Sequence, residues 1–188
     1  IVSVIQSLML GDADFGLAGG AENMSRSPFI LQDQRWGAKM GDICTLDMML
    51  GALNCPFGTG HMGVTAENVA AEHDISRAQQ DAFAMTSQTR AAAAIREGRF
   101  EDQITPVLVK VKRDKVDFMR DEHPKQTDEV ALAGLRPVFQ KDGSVTAGNA
   151  SGINDGAAAL VLAQASAAQM VHLECKKRHR CQQRYPVP

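Results

Sequence analysis

Aromatic side chains are scarce in this chain, at 5% of 188 residues, with one Trp and one Tyr. A surface that stacks the bases of a single strand needs more of them. An excess of one charge is also missing. Twenty Lys and Arg stand against 22 Asp and Glu, a formal net charge of −2, so no nucleic-acid partner is expected. No apolar run approaches the roughly 20 residues a membrane helix needs, so no membrane is expected as a partner. The four cysteines, Cys44, Cys55, Cys175 and Cys181, are not spaced as a disulfide framework. A reducing cytoplasm is the compartment this implies. Residues 1–10 are apolar but lack the basic flank of a signal peptide. With no initiator Met, the chain reads as an internal piece of something longer. What is present is ordinary for a globular protein: 44% hydrophobic and 22% charged residues, in a length that suits one domain or a little more.

Along the chain, residues 1–10 predict a helix buried on all sides, stopped at Gly11. Residues 15–18 predict a buried strand, with Gly19-Gly20 as the tight turn after it. That order is α/β grammar. Residues 21–56 are irregular and read as a surface excursion. Thr65 is the expected cap of a short helix ending near Glu72, with Glu67 in its acidic first turn. Ser76 and Gln79 have the spacing of a capping box, opening a helix to about Glu97 that stops at Gly98. Its apolar side is read as Ala78, Ala82, Met85, Ala92 and Ile95, with Arg77, Asp81, Arg90 and Arg96 on the other. Residues 104–111 predict an edge strand, its start weakened by Pro106. Residues 114–127 read as a charged loop, 130–133 as one helical turn, 144–147 as a short strand and 158–163 as a buried strand. Ser166 and Gln169 form the next candidate helix start. From 173 onward the composition breaks into a basic tail without periodicity.

Four clusters have the residue types of a site. In the tail, His172, Cys175, His179 and Cys181 are zinc-ligand types, but their spacing matches no common zinc pattern. The same tail could be a basic patch, a disordered end or non-native sequence, and no metal site is expected. Cys55 and His61 lie in one glycine-rich loop, as a nucleophile and its base would. His61-Met62-Gly63 sits just before a helix, where small neighbours let a ligand approach the backbone. A histidine that merely orders its loop fits equally. Gly148-Asn149-Ala150-Ser151-Gly152 can present backbone groups to a ligand, or can be a close-packed crossing.

Four stretches together, in this order and at these spacings, resemble the thiolases, acyltransferases that make or cleave 3-ketoacyl-CoA. They are Gly-Asp-Ala-Asp-Phe-Gly-Leu-Ala-Gly-Gly-Ala-Glu-Asn-Met-Ser at 11–25, His-Met-Gly-Val-Thr-Ala-Glu-Asn-Val-Ala at 61–70 and Gly-Arg-Phe-Glu-Asp-Gln-Ile-Thr-Pro-Val at 98–107. The fourth runs from Leu-Arg-Pro-Val-Phe at 135 through Ala-Gly-Asn-Ala-Ser-Gly-Ile-Asn-Asp-Gly-Ala-Ala-Ala-Leu ending at 160. The likeness covers residues 1–170 and is nearest the bacterial acetyl-CoA acetyltransferases.

The resemblance implies an α/β, thiolase-like fold, incomplete here. Residues 1–20 and 142–170 would be part of the N-terminal α/β domain, 21–141 mostly an inserted loop domain covering coenzyme A, and 171–188 an atypical tail. It implies a coenzyme A surface made by His61, Met62, Lys125, Ala150 and Ser151. His61, Met62 and Ser151 would lie along the pantetheine, and Lys125 at the nucleotide end. The family's nucleophilic cysteine sits in a Cys-Gly-Ser-Gly motif just before the helix at 1–10. Its Asn-Glu-Ala-Phe motif, its Gly-His-Pro histidine and its base cysteine belong after residue 170. No catalytic residue is therefore carried over. Acyl-CoA and coenzyme A are the implied partners, with coenzyme A a substrate and no cofactor. A homo-oligomer, dimer or tetramer, is implied for the full-length family. The alternative is a non-enzymatic coenzyme A-binding fragment or an inactive product.

Overall fold

The computed structural model describes residues 1–171. In chain order its helices and strands are α1 (Val2–Leu10), β1 (Phe15–Asn23), β2 (Phe29–Ile30), β3 (Leu46–Asp47), α2 (Met48–Ala52), β4 (Asn54–Cys55) and β5 (Gly60–His61). Then come α3 (Met62–Glu72), α4 (Arg77–Arg96), β6 (Val107–Val111), β7 (Asp114–Phe118), α5 (Glu129–Ala133), β8 (Asp155–Ala163) and α6 (Ala165–Met170). They group into two compact units, one of residues 1–23 with the chain from 155 on, the other of residues 24–154. Residues 142–154, which the resemblance puts with the α/β half, lie in the second unit. The tail and its His172, Cys175, His179 and Cys181 cluster lie outside the described residues.

In the first unit α1 ends as its sequence demands. Gly11 takes the left-handed conformation, φ 79°, and donates to the Leu8 carbonyl at 3.2 Å. Strands β1 and β8 pair antiparallel over their full lengths, from Phe15 opposite Ala163 to Asn23 opposite Asp155. The expected turn at Gly19-Gly20 is thus a continuation of the strand. A Cβ on Gly19 would stand 3.2 Å from the Ala158 carbonyl, so the glycine serves a close strand approach. Gly16 works similarly under α1, where a side chain would run into Val4. Gln164 caps α6 from outside and donates from Nε2 to the Leu8 carbonyl at 2.7 Å, tying the ends of α1 and β8. The expected Ser166–Gln169 box does not form.

The burial expected for this unit is not found. Leu8 and Ala18 are buried, but Leu17 and Val161 are each 71% exposed. A two-stranded sheet with short helices has more apolar surface than it can cover.

In the second unit the capping box at the start of α4 is complete. Ser76 N–H donates to Gln79 Oε1 at 2.8 Å, and Gln79 N–H to Ser76 Oγ at 3.3 Å. Gly98, φ 62°, follows the helix. The packed side of α4 differs from the expected one. Ala78, Ala82, Ala92 and Ile95 are exposed, and Phe83 is 78% exposed. The covered stripe is Arg77, Gln80, Asp81, Ala84, Gln88, Ala91 and Ala94, with Met85 partly covered beside it. Polar residues occupy this side because each reaches a specific partner. Arg77 donates to the carbonyls of Leu132 and Leu135 at 2.7 and 3.0 Å, meeting the open end of α5.

Three local readings also change. Residues 114–118 are not loop but β7, a hairpin partner of β6, with Lys112 at φ 57° in the two-residue turn. Residues 144–147 form no strand, because their N–H groups turn to side chains instead of a neighbouring strand. Thr65 does not cap α3 but lies within it, its hydroxyl buried and unpartnered among the described residues. The cap is His61. Among the described residues no helix is long and apolar enough to cross a membrane, and no group of three His, Cys, Asp or Glu converges.

Candidate functional site

The site residues read from sequence all lie in the second unit. His61 holds its place by two contacts. Its Nδ1 accepts from the Gly63 N–H at 3.0 Å, and its ring stacks on Phe139 with centroids 4.8 Å apart and planes 21° apart. A neutral imidazole that accepts at Nδ1 carries its proton on Nε2, so Nε2–H is the group left to offer. Phe139 covers Gly63 as well, so closely that any side chain at 63 would strike the ring. Met62 follows, 41% exposed, its backbone N–H on the Leu53 carbonyl at 2.7 Å. The reading of Cys55 and His61 as a catalytic pair fails on register. His61 is paired with Asn54, and Cys55 with Gly60, so successive side chains direct the two to opposite faces. The Thr59 hydroxyl and the backbone amides of Phe57 and Thr59 do lower the Cys55 thiol from its ordinary value.

Ala150 and Ser151 end a turn built almost entirely from local hydrogen bonds. Thr146 N–H donates to Asn149 Oδ1 at 2.7 Å, and Ala150 N–H donates to the Thr146 carbonyl at 3.0 Å. The Asn149 amide donates to Asp81 Oδ1 at 2.9 Å and to the Ser144 carbonyl at 3.0 Å. Asn149 therefore faces inward as a structural group. Ser151 is exposed, with its hydroxyl unpartnered among the described residues. Behind it Gly152 lies against the His123 ring. Lys125 is exposed, and its N–H donates to Gln88 Oε1 of α4 at 3.0 Å.

What joins the His61–Met62 end to the segment before Ala150 and Ser151 is Glu67 of α3, where the sequence predicts only a helix-dipole residue. It is 5% exposed. Its carboxylate accepts from Ser144 N–H at 2.9 Å, Ser144 Oγ–H at 2.8 Å and Val145 N–H at 2.8 Å. Burial pushes its pKa up, but the Val145 and Ser144 amides and the Ser144 hydroxyl prevail, and the net shift is below the usual carboxylate range. Gln80 Nε2 adds a bond to Ser144 Oγ at 2.8 Å. So α3 carries His61 and Met62 at its start and holds the segment leading to Ala150 and Ser151 at its middle. The exposed groups are a thioether, a hydroxyl and an ammonium. They suit an uncharged amide-and-alkyl arm with an anionic end, and include no nucleophile with an adjacent base.

Comparison with known proteins places the sequence and the fold in a family. The family model described as "Thiolase, N-terminal domain" matches residues 1–166. The chain is 54% identical over 171 residues to beta-ketothiolase BktB of Cupriavidus necator, covering 90% of this chain and 43% of that protein. It is 50% identical over 161 residues to an acetyl-CoA acetyltransferase of Syntrophomonas wolfei, covering 84% of this chain and 40% of that protein. Among solved structures it resembles human mitochondrial 3-ketoacyl-CoA thiolase, with a TM-score of 0.80 at 40% identity over 91% of this chain and 44% of that one. The same human enzyme in complex with CoA gives 0.77 at 39% identity over 91% of this chain and 43% of that one. The chain thus spans less than half the length of the proteins it matches, and by sequence and fold it belongs to the thiolase family.

Proposed function

We propose that this chain supplies the coenzyme A-covering part of a thiolase-type acyltransferase acting on acetyl-CoA and 3-ketoacyl-CoA. The carrying observation is the pairing of an oriented His61, its Nδ1 occupied, with an exposed Ser151 on a turn tied to the same helix. The human relative solved with CoA supports coenzyme A as the ligand class. In this reading His61 Nε2–H, Met62, Ala150 and Ser151 line the pantetheine, and Lys125 meets the nucleotide phosphates. Residues 1–20 and 142–170 belong to the N-terminal α/β half, residues 21–141 mostly to the inserted cover. The whole protein is a cytoplasmic homo-oligomer in this reading.

The chemistry of the complete enzyme follows from a cysteine thiolate outside this sequence. It attacks the thioester carbonyl of one acyl-CoA, expels the CoA thiolate and becomes the acyl-enzyme. A second cysteine removes the α-proton of acetyl-CoA. The enolate, held at oxyanion donors, attacks the acyl-enzyme, forms the new carbon–carbon bond and releases the first cysteine. This chain binds and orients coenzyme A and performs neither proton transfer nor acyl transfer. Neither Cys44 nor Cys55 stands in a Cys-Gly-Ser-Gly setting, which favours a second reading, a non-enzymatic coenzyme A-binding fragment.

Two measurements test this. Thiolysis of acetoacetyl-CoA by coenzyme A on this polypeptide should stay at background, and clear turnover would sink the assignment of chemistry to missing residues. Calorimetric titration with coenzyme A should give weak binding that His61→Ala removes. Tight micromolar binding by the isolated chain would favour the binding-module reading, and binding indifferent to His61 would overturn the site.

A further inference from the structure

Glu67 is a carboxylate with no use in the chemistry above and no cation beside it. Among the described residues no Lys, Arg or His nitrogen makes an ion pair with it. What faces it is one segment. Ser144 gives its N–H and hydroxyl, Val145 gives its N–H, and Gly143 lies so close that a Cβ there would meet Oε1. A buried charge is tolerated only when donors replace its water, and here every donor comes from the stretch that leads into the Ala150–Ser151 turn. Those donors are 77 and 78 residues away in sequence. No β-ladder holds that stretch. Its Val145 carbonyl accepts from Val138 N–H at 3.0 Å, and Val138 adjoins the Phe139 that stacks on His61. The carboxylate and the His61 ring therefore grip the two ends of one loop, 138–145, from a single helix.

We propose that Glu67 is a positioning residue, whose carboxylate fixes the Ala150–Ser151 turn relative to the His61–Met62 end of α3. Charge-assisted hydrogen bonds are the stronger class, and two backbone N–H groups and one hydroxyl converge on this carboxylate. Thr146, fully buried one residue further on, passes the constraint to the turn through its bonds with Asn149. Gly143 is small because the carboxylate occupies the volume a side chain would need. The consequence for ligand rests on the coenzyme A reading above. The positioning of the turn does not.

The test is hydrogen exchange on the full 188-residue chain without ligand, comparing wild type with Glu67→Gln, followed by titration of coenzyme A into both. Gln keeps the size but turns an NH2 group toward N–H donors. Exchange over 144–152 should accelerate by about tenfold or more, while the α4 amides stay unchanged. Where wild type binds coenzyme A, the variant should bind about tenfold more weakly. Unchanged exchange over 144–152, or equal acceleration throughout α4, overturns the proposal. Should Glu67→Gln fail to fold, Ser144→Ala decides, since it removes the hydroxyl's bonds to Glu67 and from Gln80 and leaves the carboxylate and both backbone donors in place. Faster exchange confined to 144–152 supports the role, and unchanged exchange removes it. A wild-type chain that responds as expected in exchange yet ignores coenzyme A overturns the ligand reading and leaves the positioning role in place.

Discussion

Asp81 divides its two carboxylate oxygens between its own helix and a distant turn. Oδ2 takes the Arg77 guanidinium at 2.7 Å, one helical turn back, and Oδ1 takes the Asn149 amide at 2.9 Å. Arg77 in turn spends its other donors on the carbonyls that end α5. Asp81 and Arg77 together thus join α4, α5 and the 146–152 turn.

Asp81→Ala should therefore be costly for a residue on a helix surface. It strands an Asn149 donor and an Arg77 donor together. The expected loss is about 1.5–3 kcal/mol, the range for hydrogen bonds to charged groups. Arg90→Ala, on the exposed side of the same helix, should fall within about 0.5 kcal/mol of wild type. Urea midpoints for the two variants check this. Equal midpoints would mean the network adds nothing.

Gly63→Ala should destabilise by overpacking. The added methyl would occupy the space of the Phe139 ring that also supports His61. Forcing a carbon into such a space costs about 1–3 kcal/mol. In a Phe139→Leu background the clash is gone, so the second substitution should cost much less. A double-mutant cycle reads the difference as a coupling of at least about 0.5 kcal/mol. Strict additivity would show that Phe139 does not sit where the stack puts it.

The Glu67 carboxyl gives a pH dependence of defined sign. Its folded pKa is lowered from an ordinary value of 4.5. The unfolded chain therefore binds the proton more readily. The stabilisation is fully present above the ordinary value and is lost as pH falls through the lower folded value. The second unit should hold its melting temperature from neutrality down to the ordinary carboxylate range and lose it below. Glu67→Gln should flatten that acid limb without changing the neutral plateau's slope. An acid limb identical in the variant would assign the effect to other carboxylates.

The family, the α/β class and the helix signals at Gly11, Ser76–Gln79 and Gly98 were legible in the sequence because they are written in adjacent residues, whereas the caps expected at Thr65 and Ser166 did not form. Ser76 and Gln79 need only their spacing, and Gly11 and Gly98 only their freedom at positive φ. The glycines at 19 and 20 misled, since a glycine signals either a turn or a close strand approach, and for Gly19 only Ala158 across the sheet decides. Glu67 was misread because its partners come 77 residues later. The side that α4 packs was misread for a related reason. Its alanines give little contrast between sides, and its polar residues are covered by partners that no helical period reveals.

The first unit carries the last prediction. Leu17 of β1 and Val161 of β8 are cross-strand partners, and each is 71% exposed. Met9 and Leu10 of α1 are 82% and 79% exposed. Exposed apolar surface of this kind attracts other apolar surface, so the isolated chain should bind a hydrophobic dye and associate at raised concentration. Because Val161 is already wet, Val161→Lys should change monomer stability by no more than the roughly 0.2–1 kcal/mol of one cross-strand pair. The same change should reduce dye binding and association, since it puts a charge on the Leu17–Val161 face. Leu8→Ala is the contrast. Leu8 is 8% exposed under the helix, and removing it should cost about 2–5 kcal/mol. Dye fluorescence, sedimentation and thermal melts on the three proteins separate the cases. If Val161→Lys abolishes a cooperative melt that Leu8→Ala leaves intact, the sheet face is buried in solution, and the exposure of Leu17 and Val161 does not describe the chain as it folds.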